Sequence, residues 1–324
     1  MVYDKGGISD SIKGHGHWPE TDKTPTLTLF LDNLSDRSLR RVKQLGVTGV
    51  SIANLDTGGL ETWTDEVLKR HIDRVAEADL ELRNIMFDPG ERIIFGKDGR
   101  DEDIETIINS LQVAGRQGLP VMEYNFYAHR IVEGYKVVPG RGGSGLMDFN
   151  NDRIKNLPPL QGKTAISIDD LWDNVTYYLK AVIPIAEMSD VRLALHPNDP
   201  PAPISRGSGQ IMGSVEGWKR LADIVQSPYN GITFDCGVTR ELGHDPVEIC
   251  RYFGERDQIN HVHFRNVITR TPQLDYTEVW VDEGQVDMFA VMSELVRQKY
   301  PRLIYPEHPP QNDSDTEFPF DGIS

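Results

Sequence analysis

The chain has 324 residues, enough for one large barrel or two modest domains, and 38% of them are hydrophobic, as in a globular protein. Its formal net charge of -16 argues against nucleic acid or an anionic membrane surface as partner. It leaves open an anionic small molecule held by a local metal or arginine. No run of ~18 apolar residues is present to span a membrane. The first residues lack the apolar stretch of a signal peptide. Two cysteines, Cys236 and Cys250, are too few for a disulfide framework and point to a reducing cytoplasm.

Residues 1–24 are polar and glycine-rich and carry His15, Gly16, His17 and Trp18. They read as an N-terminal arm, loosely draped or closing a site. From Pro25 an alternation of short apolar runs and amphipathic segments begins. Strands are predicted at 26–31, 47–55, 80–87 and 119–126. Between them lie helices at 35–45, capped by Ser35 and stopped by Gly46, at 64–79, capped by Thr64, and at 101–117, ended by Gly118.

The rhythm pauses at 127–165, a stretch of many glycines and prolines without clear periodicity. It is too long for an ordinary loop and reads as an insertion that closes over a site. Its His129, Arg130, Lys136 and Arg141 could meet a carboxylate, or could simply face solvent. A long helix follows at 166–189, capped by Ser167. Then come a strand at 191–196, a helix at 214–226, a strand at 231–236, a helix at 246–253 with Asp245 as cap and Pro246 in its first turn, a strand at 259–264, a helix at 287–299 and a strand at 302–306. Eight strands separated by helices predict a (β/α)8 TIM barrel as a single domain over 25–324. No Gly-x-Gly-x-x-Gly follows the first strand, which disfavours a dinucleotide-binding open sheet. After the eighth strand 311–324 hold no helical pattern, so an absent or atypical eighth helix is expected.

The last four strands end on residues that bind metals or protons. His196 closes strand five, where Pro197, Pro200, Pro201 and Pro203 forbid both helix and ladder. Asp235 and Cys236 close strand six. The period of two puts them on opposite faces, so one of them points inward. His261 and His263 share a face of strand seven and are followed by Arg265 and Asn266. Glu307 and His308 close strand eight between prolines. In parallel barrels these strand ends form the mouth where chemistry happens. Imidazole, carboxylate and thiolate from four successive strands could hold a divalent transition metal and leave positions open for substrate. Each residue alone has a bland reading, as a hydrogen-bonded or packed side chain; Cys250, in mid-helix, reads as packing.

At these residues the sequence resembles the mannonate dehydratase family. The matching pieces are Ala194-Leu195-His196-Pro197-Asn198-Asp199-Pro200-Pro201, Cys236-Gly237, His263-Phe264-Arg265-Asn266, Asp282-Glu283-Gly284 through Val286-Asp287-Met288, and Pro306-Glu307-His308, with Tyr124-Asn125-Phe126 on strand four. The resemblance implies a metal-dependent barrel, related to the xylose-isomerase-like barrels. It implies dehydration of D-mannonate to 2-keto-3-deoxy-D-gluconate, typically with Mn2+; Fe2+, Co2+, Ni2+ and Zn2+ are the alternatives. It implies His196, Cys236, His263 and Glu307 as metal ligands. His308 and Arg265 would be catalytic, and Asn125, Arg265 and Asn266 would lie at the substrate. Two departures stand out. The family usually carries Asp at the position of Glu307, and it carries a tyrosine and a helix beyond strand eight.

The chemistry suits the residues. Dehydrating an aldonic acid removes a proton beside a carboxylate and expels hydroxide, and both steps need an acid, a base and stabilisation of negative charge. Arg265 could pair with the substrate carboxylate in a bidentate fork. The alternatives are a metal-dependent sugar isomerase or epimerase, or a non-catalytic relative that binds metal or sugar acid. The barrel side left open by a missing helix predicts a homo-oligomer.

Overall fold

A computed structural model describes residues 24–53, 62–130, 132–162 and 164–312. Its centre is a closed barrel of eight parallel strands. We number these β1 (Thr26–Leu31), β2 (Gly49–Ala53), β3 (Glu81–Phe87), β4 (Val121–Tyr124), β5 (Arg192–Leu195), β6 (Asn230–Asp235), β7 (Ile259–His263) and β8 (Leu303–Tyr305). Neighbours in sequence are neighbours in the barrel, and β1 closes it against β8 through Thr26 opposite Leu303 and Leu27 opposite Ile304. All eight predicted strands are present, most of them a residue or two shorter at their ends.

The helices begin where short polar side chains can cap them. Ser35, Thr64, Ser167, Ser214, Asp245 and Asp287 each accept a backbone N–H from the first turn. The helices bury one face against the strands. The core includes Leu68, Ile107, Leu111, Tyr178, Trp218 and Phe253, all essentially inaccessible. No helix of the described residues is long and apolar enough to cross a membrane. Among the described residues no helix follows β8. The N-terminal arm, up to residue 23, and the tail from 313 lie outside the described residues.

The 127–165 stretch differs from its expected irregularity. It contains strands Tyr135–Pro139 and Gly145–Asn150. These join Asn266–Thr271 and Asp275–Val279, a hairpin after β7, in a four-stranded antiparallel sheet at the C-terminal mouth. The pairing that joins the two hairpins, Asp275–Thr277 against Asp148–Asn150, links residues more than a hundred positions apart, so no local pattern could announce the sheet. Phe149 and Tyr276 stack with ring centroids 5.1 Å apart and give this sheet a small core of its own, with Ile154 and Ala202.

On the outer ring, Glu294 joins the last two described helices. It accepts from Arg297 on its own helix, Met288–Arg297, from Gln298 that caps it, and from Arg251 on Pro246–Gly254. Led by the hydrogen bonds from Arg297, these contacts outweigh burial and hold its carboxyl at about 2. The carboxylate therefore stabilises the fold fully above its unfolded pKa, and the contribution fades as pH falls toward 2. Glu294→Gln should lower stability by roughly 1–3 kcal/mol near neutrality, and the gap in melting temperature to the parent should shrink steadily below about pH 4.5 and all but close near pH 2. A gap that stays constant down to pH 2 would refute the assignment.

Candidate functional site

The barrel interior is layered by strand parity. At the N-terminal end Val121, Ala194 and Leu303 form an apolar plug. One step up, Glu123, Thr233 and His261 are buried and polar, with Asn84 of β3 beside them. At the C-terminal mouth stand His196, Asp235, His263 and Glu307, whose ligand atoms lie within 4.8 Å of one another.

The geometry of this group fits a cation. His196 Nδ1 lies 2.7 Å from the Pro197 carbonyl, so that nitrogen carries the proton and Nε2 offers its lone pair. Nε2 faces His263 Nδ1 at 2.9 Å. Two ring nitrogens at that distance must share a proton, and that proton occupies a place a metal could take. Burial alone would lower the His263 pKa. The carboxylates of Glu123 and Glu307 outweigh it and push the imidazole up to about 10. Glu307 Oε2 lies buried 3.5 Å from His263 Nδ1 and 3.1 Å from the Arg265 guanidinium, without a well-aligned hydrogen bond to either. Nitrogen and oxygen donors converging from β5, β7 and β8 match a divalent transition metal.

Cys236 departs from its expected place. β6 ends at Asp235, and Cys236 begins a short helix, Cys236–Glu241, whose N-cap is Asp235 itself. Chain parity turns Asp235 into the mouth, where Oδ2 lies 3.9 Å from His196 Nε2 and 3.8 Å from His263 Nδ1. The Cys236 side chain packs in the hydrophobic core, and burial pushes its thiol pKa well up. The β6 member of the group described here is therefore Asp235.

Arg265 and Asn266 are both tied into the protein's own hydrogen bonds. Arg265 is 3% exposed. Its Nε donates to Asp235 Oδ2 at 3.0 Å, Nη1 to Glu241 Oε1 at 2.8 Å and Nη2 to Asp199 Oδ2 at 3.0 Å, with Glu307 Oε2 at 3.1 Å. Its fork is filled by the protein's own carboxylates and is not open to a substrate. A Cβ on Gly237 would sit 2.7 Å from Arg265 Nη1, which explains the glycine after Cys236. Asn266 is likewise buried. Its amide donates to the Val281 and Val286 carbonyls and its oxygen accepts from Val267 and Val286 N–H. A Cβ on Gly284 would lie 1.9 Å from Asn266 Oδ1. The Asp282-Glu283-Gly284 motif is thus the seat of this clamp.

His308 lies at the mouth, with a positive φ of 48°. Its Nδ1 is 3.0 Å from Glu278 Oε2 and 3.4 Å from Asp199 Oδ2; its Nε2 is 3.1 Å from Glu307 Oε1. Burial would lower its pKa, but Glu278 and Glu307 outweigh it and raise it well above the ordinary value. Arg130 Nη2 is 3.4 Å from His308 Nε2, and the Arg130 side chain keeps 40% of its surface open. Arg130 also borders a cleft of about 400 Å³ lined by Asn125, Tyr127, Asp88 and Phe95. That cleft sits over the C-terminal ends of β2, β3 and β4. Among the described cations of the insertion, Arg130 is the one that reaches this group; Arg141 pairs instead with Asp282 and Glu283. Arg130 was legible in the sequence only as one of four positive residues, and Asp199 only as part of a motif. Glu278 and Glu241 carried no local signal.

Asn266→Ala strips four backbone groups of their partner and should cost about 2–4 kcal/mol in chemical unfolding. A loss within the scatter of a surface substitution would show that the clamp is not load-carrying.

Comparison with known proteins agrees with the geometry. The family model described as D-mannonate dehydratase (UxuA) matches residues 28–164 and 145–319. The mannonate dehydratase of Thermotoga maritima is 31% identical over 310 residues, covering 84% of this chain and 85% of that protein. The enzyme of Streptococcus pneumoniae is 29% identical, covering 84% and 81%. The crystal structure of mannonate dehydratase from Streptococcus suis superposes with a TM-score of 0.85 at 28% identity, over 93% of this chain and 89% of that one. A D-psicose 3-epimerase from Clostridium cellulolyticum, with a TM-score of 0.58 at 12% identity, shares the fold alone. The chain belongs to the D-mannonate dehydratase family, a family of hydro-lyases.

Proposed function

We propose that this protein is a divalent-metal-dependent hydro-lyase of the cytoplasm that dehydrates D-mannonate to 2-keto-3-deoxy-D-gluconate, with Mn2+ as its metal and a homo-oligomer as its working form. The observation that carries the reading is the convergence of His196, His263 and Glu307 close to His308, which lies 3.4 Å from Arg130 at the border of a cleft. Family membership supports the reaction; the donor set supports a transition metal over Ca2+ or Mg2+.

His196, His263 and Glu307 hold the metal, with a fourth donor from the end of β6, Asp235 or the adjacent Cys236. Bound there, the cation supplies Lewis-acid stabilisation of negative charge on substrate oxygens. The chain's own residues do the rest. Arg130, open to the cleft and already beside His308, pairs with the substrate carboxylate. Asn125, the first residue after β4, offers an amide to a hydroxyl in the cleft. His308 is held as the imidazolium by Glu278 and Glu307, which makes it the acid: it gives a proton from Nε2 to the hydroxyl that leaves C3. A base at the cleft takes the C2 proton, the electron pair of that C–H bond forms the C2–C3 double bond as water leaves C3, and the resulting enol settles to the 2-keto product. The sheet built from 127–165 and the hairpin after β7 covers the mouth and keeps water from the reacting carbons.

Metal-stripped protein should form the 2-keto-3-deoxy product from D-mannonate only after Mn2+ is restored, and His196→Ala should abolish this turnover. Metal titration of Asp235→Asn and Cys236→Ser assigns the fourth donor to whichever variant loses the larger share of affinity. Metal bound without product from D-mannonate would refute the substrate assignment and direct the assay to ketoses and other aldonates.

Arg130→Ala should raise KM for D-mannonate by about 10–100-fold, the worth of a charge-assisted pair of roughly 1.5–3 kcal/mol. An unchanged KM would remove Arg130 from the substrate site.

A further inference from the structure

Beneath the mouth group lies a second carboxylate that the mechanism does not use. Glu123, on β4, is 2% exposed and sits on the barrel axis side of four strands. Four donors meet its two oxygens. Thr233 Oγ1 donates to Oε1 at 2.7 Å and Asn84 Nδ2 to Oε2 at 3.1 Å. His261 Nδ1 is 3.1 Å from Oε2, and His263 Nε2 is 3.3 Å from Oε1. A carboxylate with every neighbour pointing a donor at it can only accept. His263 Nε2 must therefore carry its proton, and the nitrogen left for the mouth is Nδ1, the atom that faces His196 Nε2 and Glu307 Oε2.

We propose that Glu123 is a positioning residue: through His263 Nε2–H it sets which ring nitrogen of His263 serves the mouth, and it locks the ring plane. This inference rests on the metal reading of the mouth group. Ligand imidazoles in metal sites commonly donate their far N–H to a carboxylate or carbonyl. Here the two histidines use one partner of each kind, since His196 donates to the Pro197 carbonyl. The arrangement is held from three further strands, because Asn84, Thr233 and His261 belong to β3, β6 and β7. His261 completes it as the second imidazole on the same carboxylate. Its ring stands 83° to that of His263 with centroids 4.8 Å apart, so it also walls His263 on one side.

Glutamine is the discriminating substitution. It keeps the length and volume of the side chain but turns one accepting oxygen into an NH2 group. At whichever position that NH2 settles, it meets two donors. His263 then loses its fixed acceptor or keeps it at the expense of Asn84 and His261. Zn2+ titration of the metal-free protein, followed by competition with a chromophoric chelator, should show affinity reduced 10–100-fold in Glu123→Gln. Thr233→Val, which removes one hydrogen bond from Glu123 but none from His263, should bind nearly as the parent does. Equal affinity of parent and Glu123→Gln overturns the proposal.

A second measurement does not depend on the variant folding. In the Zn2+-loaded parent, long-range 15N–1H correlation of the histidine rings should show His263 with its proton on Nε2 and Zn2+ on Nδ1. The reverse assignment overturns the proposal. Zn2+ that binds without perturbing the His263 ring overturns the metal reading on which it rests, so the two failures are distinguishable. The readouts are metal affinity and ring protonation, neither of which depends on turnover.

Discussion

A guanidinium buried from water has to be surrounded by carboxylates, and Arg265 imposes that constraint on the whole mouth of this barrel. It draws Asp235 from the end of β6, Glu241 from the helix that follows, Asp199 from the loop after β5 and Glu307 from the end of β8. Removing one partner from such a cluster leaves a buried uncompensated charge, which is far costlier than the pair is favourable. The cluster is therefore a geometric device more than a store of stability. It sets the spacing between strand ends that carry the metal-binding and proton-carrying side chains. Burial also pushes the Glu241 carboxyl well up, against the pull of Arg265.

The same logic runs down the barrel. Parallel strands put alternate residues inside, and the inner layers change character toward the mouth. An apolar plug at the closed end gives way to a polar layer around Glu123 and then to the mouth group. Polar residues inside a barrel are tolerated when each finds a partner. Glu123 meets that condition with donors from β3, β6 and β7, two of them across the barrel interior. Charged groups at the mouth can then face a cleft while their far sides stay tied to the frame.

Asp199 connects that frame to the sheet above it. Its Oδ1 accepts from Tyr135 of the insertion and from Tyr276 of the hairpin after β7, and the two tyrosine hydroxyls lie 2.8 Å apart. Its Oδ2 takes Arg265, and His308 stands 3.4 Å away. One carboxylate thus joins the covering sheet, the buried arginine and the mouth histidine. A shift of the sheet would be felt at His308 through this residue.

The barrel was legible because its information is local. Alternating apolar runs of four to seven residues, with Ser35, Thr64, Ser167, Ser214 and Asp245 as caps, write strand and helix directly into the chain. Strand-end chemistry was legible for the same reason: proline after His196 and around Glu307 marks where the strands stop. The partners of side chains were not. Nothing near Arg265 in sequence says that its fork is filled by Asp199, Glu241 and Asp235, and Asn266 reads as a polar residue at a mouth until Gly284 folds against it. Likewise the sheet in 127–165 was hidden because Asp148–Asn150 complete it against Asp275–Thr277, far along the chain, while Tyr135–Pro139 pair only with their neighbour. Sequence determined where elements begin, where they end and which residue types reach the mouth. Tertiary structure decided which of those residues face a cavity and which spend their hydrogen bonds on each other, since that choice depends on groups brought together from separate elements, from 24 residues apart for Arg265 and Glu241 to 138 for Glu123 and His261.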